Sequence, residues 1–432
     1  MNSLAEFQSK YQESFKNCSK TKKRAIFESQ KQGEKFALGI TDKYSAVFDG
    51  QNASQSQQNQ GFQAIDACAE LPRKIFLEDS RRQRTVLQRN TKEIFINTKN
   101  PKGKKWKVVD CLWSIISGSD VSVLYSPSVL RAHYGGLATC GSVWVCPVCS
   151  AKISERRKLE IVNAANLHKA AGGGLYMVTL TWAHSRHDDL QQMVKSSREA
   201  LRRLRMQWAY VQSLKAIDYV GMIRAFEVTH GDANGWHPHF HELCFLKEKL
   251  TDRQLDSWKR VLFEQWKKQC LRAGLGEPNR TVGVTIIEAE SAAEYIAKFG
   301  NEPRWGVGSE LTKHQTKHGK NGNRSPWDLL RLYAEGEPRF GHLFREYANA
   351  FFGARQVHWS PGLKQLFGIA EMTDEALAKM HEEDAYAVCR ISKMDWKKVL
   401  AQSYEARPLI LELAEKGGAD AVNRFLQSLV FS

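Results

Sequence analysis

The chain has 432 residues, enough to bury at least one large core and to hold two or three domains. Its apolar share of 42% is ordinary for a globular protein, and no apolar run reaches the roughly 18 residues that a membrane-spanning helix needs. Lys and Arg outnumber Asp and Glu by 63 to 47, a formal net charge of +16, which favours a polyanionic partner, nucleic acid before anionic membrane.

Residues 1–70 are polar. They open on a lysine-rich segment without the apolar stretch of a secretory signal and contain the low-complexity run Gln51–Gln60, which reads as a flexible linker. Residues 71–110 are strongly basic. Arg81, Arg82 and Arg84 are expected to meet DNA phosphates, and Phe76, Phe95 and Trp106 are placed to stack on bases. A small module follows, so that 71–165 is taken as one basic, cysteine-bearing unit. Cys146-Pro-Val-Cys149 is a knuckle that aims two thiolates at one Zn²⁺, and Cys140 adds a third. The fourth ligand is Cys111 or His133, with Cys111 preferred. Nine cysteines, with three close together, suit a metal site in a reducing cytoplasm better than a disulfide framework.

Residues 166–303 form the next unit. Leu175–Trp182 is rich in β-formers and follows three glycines, so it is a central strand. A helix is expected from Asp188 to Trp208, with Leu190, Val194, Leu201, Leu204 and Trp208 near one face. Its other face carries Arg202, Arg203 and Arg205, which are expected at DNA. The stretch Met222–Thr229, a link rich in Gly, Asp and Asn, and Gly235-Trp236-His237-Pro238-His239-Phe240-His241 read as a β-hairpin. Side chains alternate along a strand, so the three histidines share a face, and Glu227 comes near it. Two histidines and one carboxylate with open positions suit a catalytic divalent cation. Thr251–Gln254 looks like a capping box that opens a helix bearing Leu255, Trp258, Leu262, Trp266 and Cys270, and Thr281–Ile287 reads as another strand. In the helix expected around 291–300, Tyr295 and Lys298 lie one turn apart, so a tyrosine nucleophile would have a cation beside its phenolate.

Residues 304–432 start with a basic loop, in which Lys313 and Lys317 are expected to contact DNA, and continue as a mainly helical region without a catalytic constellation.

The ordered set Tyr176–Thr181, Glu227-Val-Thr, Gly235–His241 and Tyr295-Ile-Ala-Lys298 resembles the motifs of bacterial plasmid rolling-circle replication initiators of the HUH endonuclease superfamily. The segments Gly136–Cys149, Glu310–Lys313 and Trp359–Lys364 resemble flanking parts of the same family. The resemblance implies an α+β fold: an antiparallel sheet with flanking helices, RRM/ferredoxin-like, after a small zinc-binding module and before a mainly helical region. It implies Mg²⁺ or Mn²⁺ on His239, His241 and Glu227, with His237 as an outer or substrate contact. Tyr295 would become 5′-phosphotyrosyl-linked at origin DNA, single-stranded or extruded as a hairpin, and host helicase and polymerase would follow in the cytoplasm. One departure concerns termination, because Ser291 stands where many relatives carry Glu four residues before the nucleophile. A single-tyrosine transposase or relaxase would share this chemistry, and a zinc-dependent DNA-binding regulator would share only the charge and the cysteines.

Overall fold

The computed structural model describes residues 80–289 and 323–429, and Phe76, Tyr295, Lys298, Lys313 and Lys317 lie outside them. The described part is α+β, with two antiparallel sheets and helices packed around them. Helix α1 covers 80–95 and is followed by a short 3₁₀ turn, Lys107–Asp110. Strands β1 (Val121–Ser126) and β2 (Arg131–Gly135) form a hairpin, and α2 (Pro147–Ala170) starts with Pro at a position where a missing N–H costs nothing. Strand β3 (Gly174–Leu180) leads to α3 (Leu190–Leu204), which Asp189 caps through the Gln192 N–H. Helix α4 (Trp208–Ala216) precedes β4 (Tyr219–Gly231), β5 (Gly235–Leu246), α5 (Asp252–Arg272) and β6 (Val284–Glu288). The Thr251/Gln254 capping box at the start of α5 has both of its reciprocal bonds. Beyond 323 come β7 (Asn323–Arg324), α6 (Pro326–Ala334), α7 (Pro338–Ala350), β8 (Val357–Trp359), α8 (Leu363–Leu366), α9 (Asp374–Lys379), β9 (Tyr386–Ile391), α10 (Lys393–Ala401) and α11 (Ala406–Ser428).

The larger sheet runs β6-β3-β5-β4-β7, with β8 also on β4, so the histidine strand β5 is central. Its two faces follow from the period of two. Phe240 and Glu242 point to the helical layer, where Phe240 meets Trp182 and Trp266 and Glu242 meets Arg205. The opposite face carries His237, His239 and His241, then Leu243 and Phe245, and Phe245 packs on His168 of α2 and on Phe367. That apolar end anchors the strand, while the histidines stay partly exposed.

Several expectations change. The helix expected over 188–208 breaks after Leu204, and Trp208 opens the next helix with 77% of its surface exposed, off any core-facing stripe. Phe95 and Trp106 are buried against each other at 4.6 Å and are not available to bases. The C-terminal region is mainly helical, as expected, and also supplies β8, which pairs with β4, and β9, which pairs with β1 to complete the smaller sheet β2-β1-β9. Val121, Val123, Ile391, Trp396 and Ile410 share one core, which joins β1 to β9, α10 and α11.

Candidate metal centres

The β4–β5 hairpin sets Glu227 directly opposite His239, and Ala225 opposite His241, in one antiparallel register. The small Ala225 leaves His241 room to lean toward Glu227. Glu227 Oε2 lies 3.6 Å from His239 Nε2 and 3.7 Å from His241 Nε2. These separations are too long for direct hydrogen bonds, and the three donor atoms face one another. The outer nitrogens are held from behind. His239 Nδ1 donates to the His237 carbonyl at 3.2 Å, and His241 Nδ1 bonds Thr179 Oγ1 of β3 at 2.9 Å. A neutral His239 that donates from Nδ1 keeps a lone pair on Nε2, as a metal ligand must. Glu227 Oε1 is buried without a hydrogen-bond partner, which is costly unless something else binds it. The donor set therefore fits a divalent cation with open positions.

His237 sits beside this group. Its ring lies 5.2 Å from that of His239, and its Nδ1 is 2.6 Å from Nε2 of His184. Burial, reinforced by His239, His184 and His241, lowers His237 to about 4. Thr179 and His184 were missed in the sequence. Thr179 lies within the motif strand Tyr176–Thr181, but nothing local marks its hydroxyl as a partner of a histidine, and His184 stands in a loop without a motif. The loop is fixed by Asp188, which accepts from the Ser185 N–H and hydroxyl, and it lies against Gly235. Gly235 has φ +69°, and a Cβ there would stand 2.8 Å from Arg186 Cα, so the close approach requires glycine.

The second group is closed. Cys111, Cys140, Cys146 and Cys149 are all buried, and their sulfurs face one another. Sγ–Sγ distances are 3.7 Å for Cys111–Cys146, 3.6 Å for Cys111–Cys149 and 3.7 Å for Cys140–Cys149. Tetrahedral ligation at a metal–sulfur distance of about 2.3 Å sets sulfurs about 3.8 Å apart, so the cluster fits one ion such as Zn²⁺. Backbone N–H groups of Cys140, Ser142 and Cys149 point at Cys111, Cys140 and Cys146 sulfurs, which favours thiolates. His133 is elsewhere, stacked on His381 at 4.6 Å.

The arginines expected at DNA divide. Arg81 holds Glu415 and Arg82 holds Glu412, both carboxylates of α11. Arg84 is lowered to about 10 by burial, with Arg131 and Arg81 beside it. Arg205 turns inward onto Glu242. Arg81, Arg84 and Arg205 are turned into the fold, whereas Arg82 reaches Glu412 with half of its side chain exposed. Arg202 and Arg203 share Glu199 at the surface and stay accessible to solvent.

The class is thus an α+β protein with two donor groups able to hold metal, one open and one closed. A family described as replication protein matches residues 137–404, well over half of the chain, and the chain belongs to that family. It is 28% identical to a protein named "Protein rep" from Streptomyces lividans over 298 residues, 54% of this chain and 64% of that protein. It is also 34% identical to a "Neomycin resistance protein" from Streptomyces cyanogenus over 167 residues, 33% of this chain and 38% of that protein. The chain therefore spans less than two thirds of the length of either relative. No solved structure matches.

Proposed function

We propose that this chain is a plasmid replication initiator of the HUH type that nicks one strand of origin DNA. The observation that carries the reading is the convergence of Glu227, His239 and His241 on the central hairpin of a replication-family chain. In this reading residues 166–303 are an RRM/ferredoxin-like endonuclease domain between the cysteine module of 71–165 and the region 304–432, and residues 1–70 are a polar extension. His239, His241 and Glu227 hold Mg²⁺ or Mn²⁺, which when bound offsets charge on a non-bridging phosphate oxygen. Thr179 and the His237 carbonyl keep the two rings oriented. Tyr295 Oη attacks the scissile phosphorus. The P–O3′ bond breaks, the phenolic proton leaves, and the 3′-oxygen takes up a proton to become a 3′-OH primer. Lys298 lies one helical turn from Tyr295 in the expected helix and favours its phenolate. The ester conserves bond energy for rejoining. The partner is origin DNA in the cytoplasm, with host helicase and polymerase acting on the primer, and Zn²⁺ sits on the four cysteines.

The test is a nicking assay on supercoiled plasmid carrying the cognate origin. Wild type with Mg²⁺ should nick and leave protein covalently on the DNA, and chelator should abolish both. Tyr295→Phe should bind the origin without forming the adduct. An adduct at wild-type level in that variant refutes the assignment.

A further inference from the structure

Arg407 stands at the second position of α11, and only 4% of its surface is exposed. A cation near a helix N-terminus opposes the helix dipole, and a buried guanidinium needs a negative partner. Among the described residues no carboxylate pairs with Arg407. The acidic residues nearest it on its own helix, Glu412 and Glu415, are taken by Arg82 and Arg81. Its Nη1 donates to the Leu112 carbonyl at 3.1 Å and to Gln88 Oε1 at 3.2 Å, while Nε and Nη2 are buried without hydrogen-bond partners. The Trp113 ring covers it, with the guanidinium carbon 3.9 Å from the centroid, and Lys92 lies 3.7 Å from the same ring. Gln88 donates to the Cys111 carbonyl at 3.1 Å and toward the Cys146 sulfur at 3.9 Å.

The site is thus short of negative charge as long as the four cysteines are neutral thiols. Four thiolates around a divalent ion carry a net charge of −2, and Cys111 and Cys146 lie on the Arg407 side of the cluster. We infer that Arg407 is the buried counter-cation of a tetrathiolate metal centre, relayed through Gln88, so that metal loading and the seating of α11 are coupled. Burial lowers Arg407 to about 10, and Tyr134, Cys111 and Cys146 are the groups whose negative charge would favour its cation. The coupling would tie α1, the start of α2 and the last helix into one unit. It rests on the metal reading of the cysteines and not on DNA cleavage, so failure of nicking leaves it standing.

The test uses the full-length chain, with bound zinc measured per chain and its release to a chelator followed with time. Arg407→Met keeps the volume and removes the charge, and it should release zinc at least ~10-fold faster, the low end of the effect of losing an outer partner of a metal ligand. Arg407→Lys should restore part of the difference. The sign of a second readout separates this role from simple packing. Arg407→Met should lower the melting temperature of zinc-loaded protein but leave metal-stripped protein unchanged or raise it, because the uncompensated cation is gone. An equal drop with and without metal, release at the wild-type rate, or a wild-type chain without bound metal would each overturn the inference. Should Arg407→Met prove insoluble, Gln88→Met breaks the relay and keeps the charge. Faster release from that variant supports the coupling, and unchanged release refutes it.

Discussion

The two donor groups differ in the number of ligands and in access to water. The cysteine cluster has four donors, all buried, with backbone N–H groups turned onto its sulfurs. The hairpin group has three donors, each partly exposed, and each histidine is tied at Nδ1 with Nε2 turned to Glu227. Closed sites are structural and open ones leave room for substrate. The two donor sets thus suit two different ends, and the difference is set by which secondary elements supply the donors. A helix start and two loops wrap the sulfurs, whereas a flat strand pair can cover only one side of an ion.

The largest effect should come from the closed site. Cys146→Ser removes a donor from a fully buried cluster, so soluble yield should collapse and purified protein should lack zinc. His239→Ala should instead give soluble, zinc-loaded protein without detectable nicking. A soluble, well-folded Cys146→Ser that nicks at the wild-type rate would erase the distinction between the two groups.

Next is Glu227→Gln, which keeps the shape and removes the negative charge. Nicking should fall by ~10–100-fold, as expected when one ligand weakens and the others remain. Raised Mn²⁺ should recover part of the loss, measured as initial rates across metal concentration. A wild-type rate would take Glu227 out of the site.

The hairpin was legible because its pattern is local. Alternation along β5, turn-forming residues from Gly231 to Gly235 and a carboxylate on the facing strand all lie within about twenty residues. The Cys-x-x-Cys turn was legible for the same reason, and Cys111 joins it, not His133. What was not legible is long-range. No local pattern tells that β9 returns to β1, that Thr179 backs His241, or that Arg407 crosses to Gln88. Charge alone does not tell which way an arginine turns. Arg81, Arg82 and Arg205 look like phosphate contacts in a +16 chain, yet their partners are carboxylates hundreds of residues away or on the sheet core.

The Arg81–Glu415 pair predicts a stability effect where the charge pattern suggests a binding effect. Arg81→Met strands Glu415, whose side chain is 7% exposed and which also accepts from the Ala132 N–H. Breaking one partner of a largely buried pair costs about 3–5 kcal/mol, and partial exposure of Arg81 brings the expectation to about 2–3 kcal/mol. Denaturant unfolding should show this loss. The salt dependence of DNA binding should keep its slope, because no phosphate contact is removed. A lower slope with unchanged stability would return Arg81 to the DNA surface.

The smallest effect concerns a histidine on the same sheet face that needs no metal. His168 of α2 is wholly buried, and its Nε2 lies 2.8 Å from the Leu246 carbonyl and 3.1 Å from the Gly174 carbonyl. Two carbonyls both accept, so Nε2 donates and the ring is satisfied as a neutral donor, unlike His239 with its Nε2 turned to a carboxylate. Burial lowers His168 to about 4 against the pull of those two carbonyls. Its folded pKa is depressed and the unfolded value is ~6.5, so below that pH the unfolded chain binds a proton that the folded chain refuses. The stability it supplies is complete above pH ~6.5 and is lost as pH falls toward 4, by at most ~1.4 kcal/mol per pH unit. His133, His237 and His358, also lowered to about 4, share this trend. His168→Gln keeps a donor for the carbonyls and removes the titration. Melting followed from pH 7 to 4.5 should therefore fall less steeply in the variant than in wild type. An equal slope would mean that His168 takes up its proton in the folded chain, and that its two carbonyls, without any metal, are enough to hold the charged ring.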